Sequence, residues 1–222
     1  MASRLEGKTG IVTGAAHGIG AEIALALACK DLEQRDPRQQ AEKAGVPWTP
    51  TGQGEGGYAE VPFLGTPYLI HSPAGDVRYK EDLGKEPALW EKILVLHYFN
   101  SADGTPMTNE HISFKEVREA MLYLPNFEKR AVAPLLGRFG GNPEEILGPA
   151  QHLGGQKEEL GDFSVTIPVL PRVPITLVFW KKDEEFEARL TVLFDRTILR
   201  YLPTEDIVLA AQMMAFRLIG LA

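Results

Sequence analysis

Three apolar runs in the last third of the chain do most to limit what this sequence can become. Phe163, Val165, Ile167 and Val169 alternate on one face of a strand, Ile175–Trp180 is apolar almost throughout, and Arg189–Phe194 supplies a third run. The charged turn Lys181–Glu185 separates the last two, and strands joined by turns this short pair antiparallel. A long apolar segment, Leu202–Leu221, follows as a helix. It opens with Pro203-Thr204-Glu205-Asp206, so its acids lie where the helix dipole favours them. Upstream, Tyr58–Leu64, Pro67–His71 and Val77–Lys80 form a small meander with turns at Gly65-Thr66 and at Pro73-Ala74-Gly75-Asp76.

Helices are expected over 87–100, with Trp90, Ile93, Leu94, Leu96 and His97 around its buried face, and over 125–139 and 143–153. Asp31 to Gly45 reads as a polar helical stretch in which Asp36 caps and Pro37 takes the first position, with Gln39 where a capping box would close. The segment VPWTPTGQGEGGY (46–58) reads as loop. The pattern is α+β, with antiparallel strands packed against segregated helices in one main domain.

Composition narrows the function classes. The chain has 222 residues, 44% hydrophobic, and 23 Lys+Arg against 30 Asp+Glu give a formal net charge of −7. That balance argues against a basic grip on nucleic acid or an anionic membrane face. A single cysteine, Cys29, excludes an internal disulfide framework and any all-cysteine zinc or iron–sulfur site within the chain. It lies in an apolar helix and reads as an inert thiol. No apolar run approaches a membrane span and no signal-peptide cleavage pattern is visible, so a cytoplasmic protein without membrane association is expected.

Residues 5–28 read LEGKTGIVTGAAHGIGAEIALALA. A short strand, Ile11-Val12-Thr13, precedes Gly14, Gly18 and Gly20, whose spacing would let a backbone turn tightly around a pyrophosphate at a helix N-terminus. This stretch resembles the first βα unit of the short-chain dehydrogenase/reductase family, which implies an NAD(P)-dependent oxidoreductase as the rival reading. The likeness stops there. No acidic second strand follows, no tyrosine has a lysine four residues later, and no Asn-Ala-Gly segment occurs. One βα unit cannot enclose a dinucleotide. Residues 1–20 are therefore expected to be a dehydrogenase-like leader or fusion remnant, either poorly ordered or attached at the periphery. Residues 21–222 form the domain, and the helix from Ala21 packs Ile23, Leu25, Leu27 and Leu32 onto it.

Beyond the leader, the segments VPFLGTPYLI (61–70), ILVLHYFNSADG (93–104), HISFKEV (111–117), FEKRAVAPLLGRFG (127–140), LGG (153–155), GDFSVTIPVLPRVPITLVFWKKDEEFEA (161–188), LFD (193–195) and YLPTEDI (201–207) carry a second likeness. They resemble a domain family of unknown function from anaerobic bacteria and archaea. Its members occur alone or behind a cysteine-rich iron–sulfur domain of the kind that accompanies corrinoid proteins. The resemblance implies an anaerobe's cytoplasm and, by context, corrinoid or other tetrapyrrole chemistry, with an iron–sulfur or corrinoid protein as partner. It brings no established catalytic residues, and the iron–sulfur cysteines are absent here.

Two histidines are the candidate cofactor ligands. His97, within ILVLHYF, sits on or beside an apolar helix face, a placement suited to one axial ligand of a haem or corrinoid metal. Its bland reading is a core histidine satisfied by a backbone carbonyl. His152 begins His-x-x-Gly, half of the Asp-x-His-x-x-Gly pattern of B12-binding proteins, but Ala150 stands at the aspartate position. A helix C-terminus with a glycine cap explains Gly154-Gly155 equally well. No histidine pair has zinc-motif spacing, and His71 and His111 read as strand-end or loop residues. Asp183-Glu184-Glu185 and Glu205-Asp206 read as solvated charge, and Asp195-Arg196 as an ion pair or polar gate. Met213 and Met214, in the closing helix, would suit docking onto a partner enzyme, although a core role is preferred. The expected function is a non-catalytic cofactor-binding protein for storage, delivery or an accessory role.

Overall fold

Helix α1 (Ile19–Leu32) leads through a short turn into α2 (Pro37–Ala44), which starts at the Asp36 cap and Pro37 marked in the sequence. In this computed structural model residues 19–52 and 56–222 are described. Gly14, Gly18 and the peripheral placement of the leader lie outside the described residues. The Asp36 carboxylate accepts the Arg38 and Gln39 backbone N–H groups at 2.9 and 3.2 Å, and Pro37 has no N–H to leave unsatisfied. Buried Gln40 then donates to the carbonyl oxygens of Phe99 and Ala102, fastening α2 to the end of α3 (Leu89–Ser101).

The packing of α1 corrects the sequence expectation. Ala21, Ala24, Ala28 and Leu32 face inward, while Ile23 and Leu27 are each 47% exposed. The small alanines let α1 approach Ile93 of α3 closely, and this turns the larger side chains outward.

The first sheet is antiparallel, in the order β1 (Trp48–Pro50), β2 (Gly57–Phe63), β3 (Thr66–Ser72) and β4 (Asp76–Tyr79). Its last three strands are the expected meander. β1 corrects the loop reading of 46–58, because Trp48–Pro50 pairs with Gly57–Ala59. Proline is tolerated there because the strand lies at an edge. A Cβ on Gly57 would fall 2.4 Å from the Trp48 ring and 2.5 Å from the Thr49 carbonyl oxygen, so only glycine fits opposite this strand.

The second sheet runs β5 (His111–Ser113), β9 (Arg189–Asp195), β8 (Val173–Trp180), β7 (Phe163–Leu170) and β6 (Gln156–Glu158), again antiparallel. The three apolar runs are its centre. The two edge strands, three residues each and largely exposed, carry no periodic signal. The sheets are linked where the Leu64 N–H donates to the Val169 carbonyl at 2.9 Å.

The helix expected over 125–139 begins earlier, as α4 (Ala120–Phe127). It widens into a π turn over Glu128–Val132 and continues as α5 (Ala133–Phe139). Pro134 cannot donate to the Arg130 carbonyl, and the Ala133 N–H bonds the more distant Glu128 oxygen instead. A 3₁₀ turn, Pro143–Ile146, leads to α6 (Leu147–His152). Helix α7 (Thr204–Gly220) buries Ile207, Val208, Ala211, Met214 and Leu218, so Met214 belongs to the core. The architecture is the α+β arrangement read from the sequence.

Candidate functional site

Pro203 precedes α7, and Thr204 Oγ1 donates to the Arg118 carbonyl at 2.8 Å, fixing the helix start. Asp206 is thereby turned inward, 6% exposed, with a carboxylate oxygen 2.6 Å from His97 Nδ1. The solvated reading of Asp206 is thus corrected, and so is the carbonyl-satisfied reading of His97. Among the described residues His97 Nε2 makes no hydrogen bond, and the side chain is 29% exposed. Burial by itself would push the imidazole pKa down. The hydrogen bond and charge of Asp206, with the charges of Glu205 and Asp31, outweigh it and hold the pKa above the ordinary value of 6.5. Burial, then the Asp206 charge, pushes Glu205 up, and Tyr123 is raised by burial and the same acidic cluster.

His152 is exposed at the end of α6 and has no carboxylate partner among the described residues. The residues after it are built for packing. Gly154 adopts φ 78°, the Gly155 N–H donates to the Ala150 carbonyl at 2.7 Å, and a Cβ on Gly155 would lie 2.8 and 2.9 Å from the Ala150 and Thr166 carbonyl oxygens. The His-x-x-Gly spacing therefore closes α6 against β7. His97 and His152 share no hydrogen bond among the described residues. Among those residues no group of three or more His, Cys, Asp and Glu side chains is placed to hold a metal ion.

The remaining sequence candidates lie apart from the His97–Asp206 pair. His111 is exposed on the edge strand β5, and the His71 ring lies 5.7 Å from that of Tyr58. Cys29 Sγ lies 3.6 Å from the Gly75 carbonyl oxygen, and burial followed by the Glu33 and Asp76 charges raises its pKa, which keeps the thiol protonated. Asp183 accepts the Glu185 and Phe186 N–H groups in an exposed turn. Asp195 does not pair with Arg196, which binds Glu110 instead. Its carboxylate collects the Asn109 N–H at 2.6 Å and the Thr197 N–H and hydroxyl at 2.9 and 2.7 Å.

A pocket of about 570 Å³, unmarked by any sequence motif, opens between the β2–β3 turn, the end of β4, α3 and α7. Phe63, Tyr79, Trp90, Met213 and Phe216 supply its apolar walls. At its base the Glu91 carboxylate accepts the Tyr68 and Tyr79 hydroxyls, each at 2.8 Å, and the Ala88 N–H at 2.7 Å. Burial and then Glu91 push the Tyr68 phenol far up. One signal was available: Glu91 is the third helical residue after Pro87-Ala88, the position from which a glutamate reaches back to the cap N–H. Trp90 and His97 are seven residues apart on α3, as are Asp206 and Met213 on α7. The two helices therefore run antiparallel along a seam, with the pocket and the His97–Asp206 pair about 10 Å apart.

These features define an α+β protein of two antiparallel sheets, with a carboxylate-braced histidine and a separate pocket on one helix seam. Residues 36–217 match the family described as a domain of unknown function, DUF3786, and the chain belongs to it. No curated protein and no solved structure matches. Among the described residues no helix is long and apolar enough to cross a membrane.

Proposed function

We propose that this chain is a non-catalytic cofactor-binding protein that holds a tetrapyrrole, a corrinoid or a haem, through His97. The supporting observation is the 2.6 Å contact between His97 Nδ1 and the Asp206 carboxylate. A carboxylate that accepts the hydrogen bond of Nδ1–H fixes the ring orientation, leaves Nε2 as the donor atom and raises its basicity. The same carboxylate favours the imidazolium, so a metal binding at Nε2 would have to displace a proton, and its affinity would rise with pH.

A tetrapyrrole would supply most of its metal's ligands itself, so one imidazole would be enough where no cluster of three ligating side chains exists among the described residues. When bound, the group would supply the redox or methyl-carrying chemistry of its metal. The residues of this chain bind and orient it. His152 has no carboxylate partner among the described residues and serves as the comparison position. Storage, delivery or an accessory role beside an iron–sulfur or corrinoid protein in an anaerobe's cytoplasm follows from the family resemblance.

The test is anaerobic reconstitution with haemin and with hydroxocobalamin, followed by desalting and absorption spectroscopy. Wild type and His152→Ala are expected to retain a Soret or corrinoid band that His97→Ala loses or shifts. Retention of neither pigment by the wild type overturns the reading.

A further inference from the structure

We infer that the pocket between α3 and α7 is a second binding site, for a small carboxylate with a flat apolar body. Arg217 and Lys85 would hold the anion, and Trp90, Phe63 and Phe216 the body. This inference does not rest on His97, which is absent from the pocket wall. A volume of about 570 Å³ falls within the range of ~300–1,000 Å³ usual for small organic ligands.

The charges around the pocket decide the sign of the ligand. The neighbouring cations are committed: Lys80 pairs with Glu60 at 2.8 Å, Arg78 with Asp76 at 2.9 Å, and Lys92 with Glu86 at 3.0 Å. Arg217 and Lys85 have no carboxylate partner among the described residues, yet both are held in place. Arg217 Nη2 donates to Thr66 Oγ1 at 3.1 Å, which ties the guanidinium to the β2–β3 turn and leaves the rest of its donor fork open. Lys85 Nζ stands 5.5 Å from the centre of the Tyr79 ring.

The wall also carries three acids. The Glu91 carboxylate is taken by three donors from its own fold. Glu81 and Asp82 are exposed on the loop after β4, as Lys85 and Arg217 are at the rim, and Asp82 accepts the Gly84 N–H at 3.2 Å. The cations, by contrast, are tethered to the wall itself, Arg217 through Thr66 and Lys85 over the Tyr79 ring, and a planar carboxylate matches the guanidinium fork.

Isothermal titration of the full chain with 1-naphthaleneacetate, its neutral amide and 1-naphthylmethylamine separates the alternatives. The acetate should bind at least tenfold more tightly than the amide, and the amine most weakly. Arg217→Met, which keeps the aliphatic stem, should remove most of that preference without changing the melting temperature, and Lys85→Met should weaken it less. The titration uses the chain without added haemin or hydroxocobalamin, so failure of the cofactor reading leaves this one testable. Equal binding of acetate and amide, preference for the amine, an unaltered preference in Arg217→Met, or no binding at millimolar concentration would each overturn it.

Discussion

His97 and Asp206 lie 109 residues apart in the chain, and the packing of α3 against α7 brings the imidazole Nδ1 within 2.6 Å of the carboxylate. The contact ties the middle of one helix to the first turn of another. It also gives that seam a titratable lock.

The lock has a definite pH dependence. His97 titrates above its unfolded value of 6.5, so the pair's contribution is fully present below that pH and is lost as pH rises through the folded value. Asp206→Asn should cost ~1.5–3 kcal/mol in urea unfolding at pH 5.5, the range for a hydrogen bond to a charged group. The cost should be clearly smaller at pH 8.5, and the His97 ring signals in NMR should titrate at lower pH. An equal loss at both pH values would contradict the assignment.

Asp195 should behave in the opposite sense. Burial would raise its pKa, but hydrogen bonds from Thr197, Thr108 and Asn109 hold it below 3.8. Its stabilisation is present above the unfolded pKa and disappears as pH falls through the folded one. Asp195→Ala should destabilise by ~2–3 kcal/mol at neutral pH, because it strands several donors at once. The gap between variant and wild type should narrow in acid, as followed by circular dichroism melts from pH 7 to 2.5.

The two ends of the His-x-x-Gly segment should respond differently. Gly155→Ala places a methyl group under 3.0 Å from two backbone oxygens that have no flexible way to retreat, and should cost ~1–3 kcal/mol. His152→Ala removes an exposed side chain and should change stability by less than ~0.5 kcal/mol. Chemical denaturation of both variants checks the contrast.

Much of this fold was legible because its strands and main helices carry their own period. Phe163 to Val169 alternates, Ile175–Trp180 is apolar on both faces, and Pro87 and Pro203 announce helices. Where the signal failed, tertiary packing had overridden it. Trp48–Pro50 looked like loop because proline and glycine surround it, yet an edge strand tolerates both. Leu27 looked like core, but the alanines of α1 bury better against α3. At the candidate site, His97 could be singled out from its apolar flanks. Asp206 could not, since an acid in a helix's first turn is ordinarily solvated, and only the fold brings it to His97. The Tyr68–Glu91–Tyr79 cluster joins two strands to a helix and leaves no local pattern.

The role of His97 as the donor atom is open to direct chemical rescue. His97→Gly, reconstituted with haemin and desalted, should lose the wild-type Soret band. Added imidazole, free to occupy the space the side chain vacates, should restore the band's position and intensity. A His97→Gly spectrum identical to that of the wild type before imidazole is added would show that the histidine braced by Asp206 does not ligate the metal.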